Sequence, residues 1–78
     1  MEKDNNKSRT TVRIQGQVYK VVSEEEPSHV KEVAKYINQK MDELKKKNPY
    51  LDTTKLSVLT ALNLADEYLK MKREREGE

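Results

Sequence analysis

Side chains able to do covalent or metal chemistry are scarce in this sequence. His29 is the sole histidine of the 78 residues, and cysteine is absent. One imidazole does not make a zinc site, and without thiols there is neither a thiolate metal site nor a disulfide. Asp66 and Glu67 are sequence neighbours on what reads as a helix, so their carboxylates diverge instead of converging as a catalytic pair must. The two glycines, Gly16 and Gly77, build no phosphate loop. These gaps leave no parts for an enzyme, a bound cofactor or metal, or a small-molecule substrate site. The basic residues that could make a recognition patch are the run Lys45, Lys46 and Lys47, with Arg13 and Lys20 as weaker candidates. Such a run either attracts an acidic surface or complements the negative end of a helix.

The composition narrows the partners. Sixteen basic residues oppose fourteen acidic ones, a net charge of +2, which is mixed charge and not a nucleic-acid polycation. No apolar run is long enough to span a membrane or act as a secretory signal, so a cytoplasmic protein without membrane insertion is expected. A chain this short buries only about 60% of its unfolded surface. With no disulfide or metal to help, a partner chain becomes the expected source of further stability.

The elements read as ββαα, an α+β fold with an N-terminal hairpin and a long second helix. Residues 1–9 are polar and aperiodic, a disordered lead-in. "TTVRIQGQVYKVV" reads as a hairpin, with Gly16-Gln17 as a type II′ loop. That register sets Ile14 opposite Tyr19 and Val12 opposite Val21. Val12, Ile14, Tyr19 and Val21 then share one side, and Arg13, Val18, Lys20 and Val22 the other. Helix one ends at Lys47; Pro27 suits its first position, and Val30, Val33, Ala34, Ile37, Met41 and Leu44 form an apolar stripe. Asn48-Pro49 breaks it, and Asp52 caps helix two, with Leu51 and Leu56 at the positions of a hydrophobic staple. Residues 10–50 are expected to form a globular head, and 51–78 a dimerisation helix that frays at its end.

Within helix two, "LSVLTALNLA" (Leu56 to Ala65) carries no charge in a chain that is 38% charged. On a wheel of ~100° per residue, Val58, Ala61, Leu62, Ala65 and Leu69 form one stripe, with Leu64, Tyr68 and Met71 forming a second beside it. Leu56 and Leu59 fall outside both. An ordinary helix on a single core shows an apolar arc of ~100° or somewhat more, and this arc is wider. The hairpin and helix one are expected to cover one stripe and leave the other for self-association. Asn63, between the stripes and the charged side, is either an interhelical register bond or a boundary residue. Tyr50 and Tyr68 read as packing residues, and His29 as exposed.

"TTVRIQGQVYKVV" and "NPYLDTTKLSVLTALNLADEYLKMK", with the spacing between them, resemble the ZapA family of bacterial cell-division proteins, which associate with FtsZ. The likeness runs from Thr10 to about Lys72 and is most specific in the second-helix run; it is nearest to the short forms of Bacillus-like bacteria. The resemblance implies a non-enzymatic homodimer, or a tetramer of two dimers, that binds, crosslinks and bundles FtsZ filaments and so supports Z-ring assembly in septation at midcell. It also implies that charged head residues contact FtsZ: here Lys45, Lys46, Lys47, Asp52 and Lys55, with Arg13 on the hairpin. The oligomer interface falls on Val58, Ala61, Leu62, Leu64, Ala65, Tyr68, Leu69 and Met71. After Met71 the sequence departs from longer members: "KREREGE" continues no heptad of a long coiled coil, whereas the dimer-forming run is intact.

A different class, the dimeric ribbon-helix-helix DNA-binding regulator, also places strand before two helices. Its ribbon would use Arg13 and Lys20 to read bases. A hairpin complete within one chain, a near-neutral charge and a longer second helix all weigh against it.

Overall fold

In a computed structural model, residues 7–76 are described, and they run β1 (Ser8–Ile14), β2 (Gln17–Ser23), α1 (Pro27–Lys47) and α2 (Thr53–Glu76). Most of the expected lead-in lies outside the described residues. Ser8 and Arg9, assigned to it from sequence, belong instead to β1, where they pair with Ser23 and Val22.

The hairpin turn sits one residue earlier than the sequence suggested. Its central residues are Gln15 and Gly16, with φ of 51° and 84°, and the strands close at Ile14 opposite Gln17. Two positive φ angles are what a type I′ turn demands, and its twist suits the flanking strands. Val12 therefore faces Tyr19, not Val21. The partners move by two residues, so the division of side chains between the two faces survives.

A left-handed backbone at a non-glycine residue costs about 1–2 kcal/mol. Asn38, on α1, offsets it. The Gln15 backbone N–H donates to Asn38 Oδ1 at 2.8 Å, and Asn38 Nδ2 donates to the Arg13 carbonyl at 2.8 Å. One amide thus holds the backbone on either side of Ile14, where β1 enters the turn.

Contacts divide the chain into two units, Met1–Lys40 and Met41–Glu78, with the boundary inside α1. In the first, Val12, Val30 and Ala34 form the core, with Ile14 and Val21 packed on it. The Thr10 hydroxyl is buried there without a partner among the described residues. Pro27 opens α1, where its missing N–H costs nothing, and the Glu26 carbonyl accepts from Val30 N–H at 3.1 Å. Val33, expected in the apolar stripe, is exposed because it falls at the stripe's fringe.

In the second unit the buried side chains are Met41 and Leu44 of α1, and Leu56 and Thr60 of α2. Asn48 terminates α1 by donating to the Leu44 carbonyl twice, from its backbone at 2.9 Å and from Nδ2 at 3.0 Å. Asp52 caps α2: its Oδ1 accepts the Lys55 N–H at 2.8 Å and its carbonyl accepts the Leu56 N–H at 2.9 Å. Tyr50, expected to pack, is 80% exposed; its hydroxyl donates to Asn48 Oδ1 at 3.4 Å.

These local devices have measurable consequences in urea unfolding at fixed protein concentration. Asn38→Ala should lower stability by about 1–3 kcal/mol, since it strips partners from the turn. Gly16→Ala should cost about 1 kcal/mol through backbone strain alone, because a Cβ there meets nothing within 4 Å. Unchanged midpoints in both would contradict the turn's geometry. Asp52→Ala should cost about 1 kcal/mol, with Asp52→Asn near wild type, since asparagine caps equally well. Equal losses in the two variants would show that the charge, not the cap, matters.

Candidate functional site

On α2 the positions covered within the chain are Leu56 and Thr60, with Leu59, Asn63, Leu64 and Glu67 half-buried. Their spacing of three and four defines one face of the helix. It is neither of the stripes marked out from sequence. Leu56 and Leu59, which fell outside both stripes, lie on the covered face, so the expectation that one named stripe packs within the chain is corrected.

At ~100° per residue, the stripe of Val58, Ala61, Leu62, Ala65 and Leu69 lies about half a turn from that face. All five are exposed; Leu62 is 64% and Leu69 48% accessible. Tyr68 and Met71 are exposed as well, and Leu64 alone of the eight interface candidates is half-buried. The helix is thus apolar on two opposite sides. Beyond Glu67, every described side chain of α2 is exposed.

The uncharged polar residues of this segment are made compatible with an apolar setting by bonding back to their own helix. Ser57 Oγ donates to the Thr53 carbonyl at 2.9 Å, and the buried Thr60 hydroxyl to the Leu56 carbonyl at 2.8 Å. Asn63 Nδ2 reaches the Leu59 carbonyl at 3.4 Å. Donors satisfied in this way need no water, so the helix can be covered on these sides without an orphaned hydroxyl. The Asp66–Lys70 ion pair, 3.1 Å, is solvent-exposed and contributes little.

The charged candidates occupy two places. Lys45, Lys46 and Lys47 form the last turn of α1, and Asp52 and Lys55 stand at the start of α2; all five are exposed and lie in the second unit. Asp52 is engaged as the cap described above. Arg13 belongs to the first unit and is exposed on the outer side of the hairpin. Sequence reasoning missed Asn38. The available signal was Gln-Gly at a tight turn, a pair less suited to two positive φ angles than Asn-Gly, and hence in need of an outside support.

Among the described residues no group of three His, Asp or Glu could hold a metal ion, and no helix is long and apolar enough to cross a membrane.

Comparison with known proteins places the chain. The family profile described as Cell division protein ZapA matches residues 10–78. The Cell division protein ZapA of Shouchella clausii is 78% identical over 78 residues, the whole of both chains. That of Geobacillus thermodenitrificans is 51% identical over 71 residues, 91% of this chain and 78% of the relative. A solved structure described as a ZapA mutant dimer from Geobacillus stearothermophilus superposes with a TM-score of 0.74 at 48% identity, covering 90% of this chain and 81% of the other. With that likeness to a solved relative, and a profile match over nearly its whole length, the chain belongs to the ZapA family of cell-division proteins.

Proposed function

We propose that this protein is a non-enzymatic accessory of cell division that self-associates through α2 and, as a dimer, binds, crosslinks and bundles FtsZ filaments at the midcell division site in the cytoplasm. One observation carries the reading: α2 exposes Val58, Leu62 and Leu69 opposite the face its own chain covers. A second copy is the simplest cover, and the solved relative's description as a dimer supports it. Burying a leucine contributes about 1.5–3 kcal/mol, so a few such residues on each side suffice for a lasting pair.

A dimer presents every surface patch twice. The exposed Lys45–Lys47 run, with Asp52, Lys55 and Arg13, supplies the FtsZ contact in this reading, because a basic patch suits an acidic filament surface. Two copies on one dimer convert weak single contacts into a crosslink. The ribbon-helix-helix alternative needs a strand whose mate comes from another chain, whereas β1 and β2 here complete their ladder within one.

Leu62→Glu and Leu69→Glu should each convert the dimer to monomer in sedimentation equilibrium, since an unpaired carboxylate in an apolar interface costs several kcal/mol. A dimer mass in both variants would remove α2's exposed face from the interface. Reversing Lys45, Lys46 and Lys47 to glutamate should cut co-pelleting with polymerised FtsZ by about tenfold while leaving the dimer mass unchanged. Full bundling by that triple variant would remove the lysine run from the contact.

A further inference from the structure

The observed register creates a second exposed surface. The outer side of the hairpin carries Arg9, Thr11 and Arg13 from β1, and Val18, Lys20 and Val22 from β2, all six exposed. Cross-strand pairing sets Arg9 opposite Val22, Thr11 opposite Lys20 and Arg13 opposite Val18. Cationic side chains therefore alternate with valine along β2 and with threonine along β1, and each arginine faces a valine across the strands. Val18 is 54% and Val22 58% accessible. The face has three positive charges and no carboxylate, and none of the three is ion-paired among the described residues.

We infer that this outer hairpin face is a docking surface for an acidic peptide segment that carries valine- or leucine-like side chains between its carboxylates. Charge decides the occupant. A second copy of the same face would bring three cations against three, which is repulsive. The chain's own acidic run, Glu24 to Glu26, has no apolar residue within it to fill the places beside Val18 and Val22. Guanidinium groups hold carboxylates through paired hydrogen bonds, and the two valines gain from losing water once those charges are neutralised. In an extended segment, side chains that face one way recur every second residue, about 6.6 Å apart, matching the Val18, Lys20, Val22 series. The surface lies in the first unit, apart in sequence from the lysine run, and shares only Arg13 with the proposed FtsZ contact; Val18, Lys20 and Val22 belong to this face alone, so the peptide test can fail without touching that reading.

The test uses the full chain and a fluorescein-labelled synthetic peptide with glutamate and valine alternating at every second position and serine between. Two controls replace the valines by serine or the glutamates by lysine. Fluorescence anisotropy at low salt should show the glutamate–valine peptide binding about tenfold tighter than either control. Raising the salt should weaken it. The double variant Val18→Thr/Val22→Thr keeps β-branched side chains and hence the strand, as circular dichroism and an unchanged urea midpoint should confirm, yet should lose about tenfold in affinity. Arg13→Gln/Lys20→Gln should lose affinity and flatten the salt dependence. No binding by the unmodified chain, equal binding of the serine control, or wild-type affinity in the threonine variant would overturn the inference. So would co-sedimentation with vesicles containing phosphatidylglycerol when the peptide does not bind, which would make the surface a lipid contact.

Discussion

The constraint on which the rest depends is geometric: α2 is apolar on two opposite sides, and one chain covers only one of them. The covered side is short and mixed, with Leu56 and Thr60 buried. The uncovered side, from Val58 to Leu69, is the more apolar. Opposed apolar faces cannot both be satisfied by a domain this small, whose surface-to-volume ratio already leaves its core marginal. Association is the physical remedy for the uncovered side, while on the covered side the buried Thr60 hydroxyl donates back to the Leu56 carbonyl and so is not orphaned.

The hairpin is built on a different economy. Two strands alone are marginal in water, and this pair is held by a small apolar cluster and by one side-chain amide. Asn38 compensates Gln15 for its left-handed backbone and fixes the Arg13 carbonyl at the same time. In an oligomer the hairpin face and the lysine run would each be displayed once per copy.

Much of this was legible in the residues. Asp52 as a cap, Pro27 as a first helical residue and Thr53 to Glu76 as a helix are local statements, and local chemistry decides them. The faces of the hairpin were legible for the same reason: alternation has a period of two, and a turn misplaced by one residue slides partners by two without exchanging faces. The turn itself was not legible, because Gln-Gly is a weaker type I′ signal than Asn-Gly and its support, Asn38, lies 23 residues away in sequence. Nor was the covered face of α2. A wheel displays every apolar residue but not which of them its own chain reaches, and Leu56 and Leu59, read as outliers, are the ones it covers or half-covers. Tyr50 erred in the opposite direction: an aromatic residue suggests packing, yet its place between two helix caps leaves it in water.

The most direct measurement is the mass of the unmodified chain in solution across a wide concentration range, by sedimentation equilibrium or light scattering. A value of twice the 9.2 kDa chain, or a multiple of it, persisting on dilution to low micromolar concentration is what two opposed apolar faces require. A folded, soluble protein that remains at one chain's mass at high concentration would contradict the account at its root.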